Sequence, residues 1–190
     1  PLAEPVGSHF NYASGSSVLL ARLWQDAVPG GPAQALAWPR RAIFDPLGMR
    51  SAVMEADARG TFVGSSYLYA TGRDWARFAL WLLQDGRWNG QALLPEGWVA
   101  RMRTPSTAAP DEYTQAQMWR HGPRAGTPEG QSPDAGFALP ADAVWMNGHD
   151  GQSIAIVPSR ELAVVRLGLT PSAQQHKPQR LVQAVLEVLP

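Results

Sequence analysis

The spacing of apolar residues predicts helices in the first two-thirds of the chain and strands only near its end. The strongest helical pattern follows Thr71, where apolar residues recur at positions i, i+3, i+4 and i+7 and therefore share one helix face. The residues of this face are Trp75, Phe78, Ala79 and Leu82. Thr71 and Asp74 stand three residues apart, as in a capping box, and Gly86 supplies a stop at the C-terminal end.

Shorter elements precede and follow this helix. Ser14 or Ser16 can cap a first helix, in which Val18, Leu19, Arg22 and Leu23 follow at helical spacing. A second short helix is predicted over residues 36–43, and a third over residues 95–102, because proline is tolerated in a first helical turn. Residues 88–91, with the sequence WNGQ, are typical of a tight turn.

The last third of the chain has a different pattern. Residues 104–136 are rich in Pro, Gly, Ser and Thr, and long loops of this kind are often functional. Two apolar segments, 154–157 and 162–167, then flank residues 158–161 and predict a β-hairpin. Apolar residues at helical spacing over 181–189 predict a closing helix.

These elements predict an α+β fold, in which the last helix packs on an antiparallel sheet. We expect residues 1–136 to form a mainly helical region that includes the long loop at 104–136. Residues 137–190 are expected to form the antiparallel strands and the C-terminal helix.

Composition narrows the possible functions of the chain. Of its 190 residues, 45% are hydrophobic and 17% are charged, which is typical of a globular protein. Sixteen basic residues balance sixteen acidic ones, which argues against nucleic acid as a partner. No run of 18 apolar residues exists, so no membrane span is predicted. Cysteine is absent and the four histidines are scattered, so a zinc site is not expected.

The stretch GHDGQS, residues 148–153, is the first candidate for chemistry. His149 can serve as a cation, a hydrogen-bond donor or a base near neutral pH. The backbone N–H of Gln152, which follows Gly151 at the edge of a strand, could point at an oxyanion. Alternatively, the stretch is a hairpin turn with a surface histidine. We do not expect Asp150 to orient the His149 ring, because neighbouring side chains on a strand point to opposite faces.

Tyr12, in the stretch FNYASG, is the second candidate. The ordinary role of a tyrosine before a helix is that of a buried aromatic residue with a satisfied hydroxyl. It becomes a useful proton carrier only where nearby positive charge lowers its pKa from about 10.

Three segments together resemble serine hydrolases of the β-lactamase fold, class C type. FNYASGSSVLL is similar to the Tyr-x-Asn element of that family, and GSSYLYATGRDWARFALWLLQDGRWNG to the segment that enters its long helix. GHDGQSIAIVPSRELAVVRLG resembles its Lys-Thr-Gly strand in the His-x-Gly form. That form is typical of the branch containing carboxylesterases and 6-aminohexanoate-dimer hydrolases. The resemblance covers nearly the whole chain, and implies the C-terminal part of a β-lactamase/transpeptidase-like fold.

The resemblance implies hydrolysis of a small ester or amide through an acyl-serine intermediate, with no metal and no organic cofactor. By position, Tyr12 is the general acid/base and Gln152 supplies an oxyanion N–H. Ser14 stands where the family usually has asparagine, and His149 stands where β-lactamases carry lysine.

The family's nucleophile is the serine of Ser-x-x-Lys, which this chain does not contain. Its one lysine is Lys177, and the residue three positions earlier is Gln174. The resemblance therefore implies that this chain alone is inactive and needs the N-terminal portion of the same enzyme as its partner. The alternative is a non-catalytic binding or scaffold protein of the same fold. Members of the family are often exported, which favours a periplasmic or secreted location.

Three aromatic residues are further candidates for contact with substrate. Tyr67 and Tyr69 precede the helix that the family places beside its active site, and Trp145 stands four residues before His149. For each of them, packing in the core is the alternative. A Ser-His-Asp triad is not expected, because no Gly-x-Ser-x-Gly occurs.

Overall fold

The computed structural model describes residues 3–189, so Pro1, Leu2 and Pro190, at the two ends of the predicted regions, lie outside it. The chain divides into two units. The N-terminal unit is Phe10–Phe78, and the C-terminal unit comprises Pro1–His9 and Ala79–Pro190. This division does not coincide with the change in secondary structure expected at residue 136.

The N-terminal unit contains helices and one short pair of strands. Its elements are α1 (Ser14–Ala27), α2 (Pro32–Pro39), a π-helical turn (Arg40–Phe44), α3 (Asp45–Leu47), β1 (Val53–Met54), β2 (Leu68–Tyr69) and the first part of α4 (Gly72–Leu83). The second predicted helix is thus longer than expected, because helical structure continues without a break from α2 to α3. Gly48 then ends it in a left-handed conformation, with φ of 69°.

Helix α1 buries a different face from the one its apolar residues predict. Ala21 and Gln25 are the buried residues of this helix, whereas Leu19 and Leu23 are 68% and 66% exposed. The Gln25 amide donates to the carbonyl of Gly60 at 2.9 Å and accepts the N–H of Phe62 at 2.8 Å. These two hydrogen bonds offset the cost of burying its polar atoms. The predicted serine cap is also wrong: Ala13 is the N-cap, and no side chain caps the helix.

Helix α4 agrees closely with its prediction. Asp74 is buried near its start, but the carboxylate does not complete a capping box. It instead accepts hydrogen bonds from the N–H and hydroxyl of Ser51, at 2.9 and 2.6 Å, and from Arg77 at 2.5 Å. The helix ends in a Schellman motif, in which the N–H of Gly86 donates to the carbonyl of Trp81 at 2.9 Å and the N–H of Asp85 to that of Leu82 at 3.2 Å.

The C-terminal unit is built on an antiparallel sheet. After α4 come β3 (Arg87–Trp88), β4 (Gln91–Ala92), α5 (Trp98–Met102), β5 (Val144–Asn147), β6 (Ser153–Val157), β7 (Leu162–Arg166) and α6 (Pro178–Val188). Positive φ angles at Asn89 and Gly90 make the predicted tight turn between β3 and β4. The third predicted helix begins only at Trp98, three residues after Pro95.

The strand order is β5-β6-β7, and α6 packs on the sheet as predicted. Trp145 is opposite Ala155 in the ladder, and both are fully buried. With Val157 of β6 they contact Val182 and Leu186 of α6 in one apolar cluster. The predicted α+β class is therefore confirmed.

The loop at 104–136 is fastened to α6 rather than loose. The fully buried Gln179 donates to the carbonyls of Pro123 and Pro133, at 3.1 and 3.2 Å, and to the Asp134 carboxylate at 3.2 Å. The N–H of Gly122 also donates to Asp134, at 2.9 Å. One buried amide from the closing helix thus holds several turns of a loop that contains no named helix or strand.

Candidate functional site

The loop that contains His149 connects β5 to β6 and follows the last residue pair of their ladder, Asn147 with Ser153. We call it the His149 loop. His149, Asp150 and Gly151 form a single 3₁₀ turn, in which Asp150 and Gly151 have φ of 53° and 75°. The N–H of Gly148 closes the loop by donating to the carbonyl of Gln152 at 2.8 Å. Within the described part of the chain, the His149 side chain is 86% exposed and is therefore accessible to a ligand.

Our expectation about Asp150 is wrong. The two residues lie in a 3₁₀ turn and not on a strand, so the rule that neighbouring side chains point to opposite faces does not apply to them. His149 Nε2 is 3.4 Å from Asp150 Oδ2. Asp150 can therefore bias the orientation of the His149 ring, although this contact is longer than a normal hydrogen bond.

The backbone N–H of Gln152, the predicted oxyanion donor, has an intramolecular acceptor in this structure. It donates to the carbonyl of His149 at 3.2 Å, and the Gln152 side-chain amide donates to the same oxygen at 3.2 Å. Both bonds are at the long end of the usual range for N–H···O contacts. An incoming oxyanion would have to compete with this carbonyl for the backbone donor.

Arg166, which the sequence analysis missed, holds the His149 loop from the end of β7. Its guanidinium donates to the carbonyls of Gly151 and Gly168, at 2.8 and 2.6 Å, and to the Thr170 hydroxyl at 2.5 Å. The N–H of Thr170 in turn donates to the carbonyl of Asp150 at 2.7 Å. The only sequence signal was an arginine that ends an otherwise apolar strand, which does not reveal its partners.

Gly151 is required by this arrangement for two reasons. Its φ of 75° is in the left-handed region, where side chains are rare. A Cβ atom here would also lie 3.3 Å from the Arg166 guanidinium and 3.6 Å from the His176 ring. Burial, and secondarily the charge of Arg166, lower the pKa of His176, so this imidazole is neutral at pH 7.

Tyr12 and Ser14 lie at the start of α1, in the N-terminal unit. Tyr12 is 59% exposed, two residues before the helix, so it is not the buried aromatic of the alternative interpretation. Ser14 is the first residue of α1 and is exposed.

Tyr67 and Tyr69 form a pair on the surface of the same unit. Their ring centroids are 6.4 Å apart, and each residue is 52% exposed. Partial desolvation, and then the nearby Glu55 carboxylate, raise the pKa of Tyr69, so its hydroxyl stays protonated at neutral pH. Tyr69 can therefore donate a hydrogen bond to a ligand, but it is a poor base.

Trp145 is the one predicted contact residue that the structure places in the core. It is 0% exposed and belongs to the apolar cluster under α6, which leaves it no surface for a substrate. This burial favours core packing for Trp145. A nearby apolar cavity of about 200 Å³ is lined in part by Val144 and Ile156. These two residues pair at the end of the ladder away from the His149 loop, so the cavity is not part of that loop's site.

Other features of the described residues bear on cofactors and membranes. Within residues 3–189, no group of three or more His, Asp or Glu side chains is arranged to hold a metal ion. None of the helices in this range has both the length and the apolar character needed to cross a bilayer.

The chain is similar to known proteins in both sequence and structure. The sequence model of the Beta-lactamase family matches residues 1–184. No curated protein matches the chain significantly. A proposed 6-aminohexanoate-dimer hydrolase from Bacillus anthracis is similar in structure, with a TM-score of 0.71 and 25% identity over 99% of this chain.

Two further solved structures share the fold. A beta-lactamase from Mycobacterium bovis has a TM-score of 0.67 and 17% identity, and a proposed beta-lactamase from Bacteroides dorei has 0.62 and 18%, each over 95% of this chain. The chain spans only 47%, 63% and 58% of the Bacillus, Mycobacterium and Bacteroides proteins, respectively.

Proposed function

The chain belongs to the beta-lactamase family, and we propose that it is the C-terminal part of a serine hydrolase that cleaves small esters or amides. The observation that carries this proposal is the family match over residues 1–184, nearly the whole chain. The similarity to a proposed 6-aminohexanoate-dimer hydrolase supports an amide or ester as the scissile group.

In this proposal the reaction proceeds through an acyl-serine. A serine hydroxyl attacks the substrate carbonyl, the leaving group departs with a proton, and water then releases the acyl group. Because the chain contains no Ser-x-x-Lys, the serine and lysine come from the N-terminal portion of the enzyme, in the same or a nicked chain. This chain alone is inactive.

Tyr12 is the proposed proton carrier. Its exposure, at 59%, leaves the side chain accessible to a substrate and to the nucleophile-bearing portion. The lysine of that portion would supply the positive charge that lowers the pKa of a catalytic tyrosine. Ser14 is proposed to donate a hydrogen bond to the substrate in place of the usual asparagine, and Tyr67 and Tyr69 to line the binding surface.

The His149 loop is proposed to bind the reacting carbonyl. The backbone N–H of Gln152 would exchange its 3.2 Å bond with the His149 carbonyl for a stronger bond to the developing oxyanion. His149, exposed beside Gly151, would contact the polar end of the substrate. Histidine in place of lysine removes the permanent cation, which fits an ester or amide better than a substrate that needs one.

A second candidate is a non-catalytic binding or scaffold protein of the same fold. It is favoured by the absence of Ser-x-x-Lys and by the internal hydrogen bond that occupies the Gln152 N–H. Intact-mass spectrometry with a fluorophosphonate probe separates the two candidates. A second polypeptide, or an upstream segment, that gains the mass of the probe supports the hydrolase, whereas a full-length product of the parent gene that takes no probe and turns over no ester refutes it.

The role of Tyr12 has its own test in the complete protein. We expect Tyr12→Phe to lower ester turnover by about 10² or more, since general acid–base catalysis contributes that much, while the fold is retained. Tyr113→Phe is the control, because Tyr113 packs against Trp119 and has no role in the proposed site, and its turnover should fall far less. An unchanged rate for Tyr12→Phe would eliminate the assigned role.

A further inference from the structure

A stripe of exposed leucines runs along α1. Leu19, Leu20 and Leu23 are 68%, 50% and 66% exposed. Leu19 and Leu20 are adjacent, and Leu23 follows them by four and three residues, so the three side chains form one continuous apolar surface on the helix. We call these three residues the leucine stripe.

The leucine stripe is on the side of α1 opposite to the one that the unit buries. At 100° per residue, Leu19 and Leu23 are each about 200° around the axis from the buried Ala21. The covered side of α1 is formed by Ala21 and Gln25, whereas the opposite side, with Leu19 and Leu23, is apolar and exposed. Contiguous exposed apolar surface of this kind marks a site of contact with another part of a protein.

We infer that the leucine stripe is the docking surface for the nucleophile-bearing portion of the same enzyme. This inference rests on the proposed function for the identity of the occupant. This chain covers only 47% of the length of the Bacillus hydrolase while 99% of this chain is matched, so about half of that protein has no counterpart in this chain. A second copy of this chain would cover the leucines but would not supply a Ser-x-x-Lys.

The position of the stripe along the chain agrees with this occupant. Leu19 is seven residues after Tyr12 and is the sixth residue of α1, about one and a half turns into the helix that Tyr12 precedes. A portion that docks here would reach the start of the same helix, where the proposed proton carrier lies. The neighbouring charges, Arg22 and Asp26, are paired with each other, so they add no net charge beside the apolar surface.

Cysteine accessibility tests this inference cleanly, because the chain has no native cysteine. Leu23→Cys places one thiol in the stripe, and Val188→Cys places one at the end of α6, where the residue is 80% exposed. Each variant is labelled with a maleimide, once in the isolated 190-residue chain and once in the full-length product of the parent gene. Peptide mass spectrometry assigns the labelled position.

We expect the thiol of Leu23→Cys to be labelled in the isolated chain and to lose most of its labelling in the full-length product. The thiol of Val188→Cys should be labelled in both samples. Equal labelling of the Leu23→Cys variant in the two samples would overturn the inference. Protection of the same variant in the isolated chain that increases with protein concentration would also overturn it, because a second copy would then cover the stripe.

The labelling experiment tests the docking surface and the fluorophosphonate experiment tests the hydrolase function, so either proposal can be refuted while the other stands. If the Leu23→Cys thiol is protected in the full-length product but the upstream portion takes no fluorophosphonate, the docking surface stands and the hydrolase function fails. If the upstream portion takes the probe while this thiol stays fully labelled, the hydrolase function stands and the docking surface fails.

Discussion

Replacing Asp74 by Asn should destabilise the N-terminal unit far more than an ordinary surface change. The Asp74 side chain is only 6% exposed, and its two oxygens accept three hydrogen bonds, from the N–H and hydroxyl of Ser51 and from Arg77. An asparagine has one acceptor oxygen, so at least one of these donors must face an NH₂ group. Hydrogen bonds to charged groups each contribute about 1.5–3 kcal/mol. We therefore expect the free energy of unfolding to fall by about 2–4 kcal/mol.

The assay is urea unfolding of the 190-residue chain, followed by far-ultraviolet circular dichroism. Asp45→Asn is the matched control, because the Asp45 side chain is 60% exposed and pairs with Arg40 at 3.2 Å on the surface. Such a pair contributes about 0–1 kcal/mol. If Asp74→Asn lost no more stability than Asp45→Asn, the Ser51–Asp74–Arg77 network would not stabilise the fold.

The difference in the free energy of unfolding between wild type and Asp74→Asn should also depend on pH. The Ser51 hydroxyl, the Ser51 N–H and Arg77 lower the pKa of Asp74 below its usual value of 3.8. A carboxyl whose pKa is lower in the folded state stabilises the fold above the unfolded-state pKa, and this contribution is lost as the pH falls through the folded-state pKa. The stability difference between wild type and Asp74→Asn should thus be full at about pH 6 and shrink below about pH 4. A difference that stayed constant down to about pH 2 would contradict the assigned contacts.

Two further substitutions probe packing in the C-terminal unit. In Gly122→Ala the new Cβ would lie 2.5 Å from the buried Gln179 amide carbon, so overpacking should cost about 1–3 kcal/mol of unfolding free energy. Gly15→Ala, with no atom within 4 Å of the new Cβ, should be neutral or slightly stabilising, and equal midpoints in urea would argue against the clash. Trp145→Ala should cost about 3–5 kcal/mol because it empties a core position. Tyr67→Ala, at a residue that is 52% exposed, should cost much less, and similar losses would refute the core assignment of Trp145.

Local signals in the sequence were sufficient for the elements that depend on near neighbours. Helix α4, the tight turn at Asn89–Gly90, the β6–β7 hairpin and α6 are all present where apolar spacing and turn residues predicted them. The family resemblance, which rests on short motifs in a fixed order, is also confirmed, over residues 1–184. For the helices and turns, the information lies within a few residues, because their geometry is set by positions up to four apart.

The mistakes were about contacts that are distant along the chain. Apolar spacing that includes Leu19 and Leu23 predicted helix α1 but not its buried face, which contains Gln25, because Gly60 and Phe62 supply its hydrogen-bond partners. These partners are 35 and 37 residues away, beyond any local pattern.

The sequence by itself thus determined the family and the order of the elements that depend on local spacing, whereas the roles of Tyr12 and His149 stay predictions. Only the tertiary structure decided how the His149 loop is held, because Arg166 reaches Gly151 from a strand that ends 15 residues later. It also decided that Trp145 is a core residue, since its burial depends on α6 packing over the sheet. Burial and hydrogen-bond partners are properties of the assembled layers, and no spacing rule along one segment contains them.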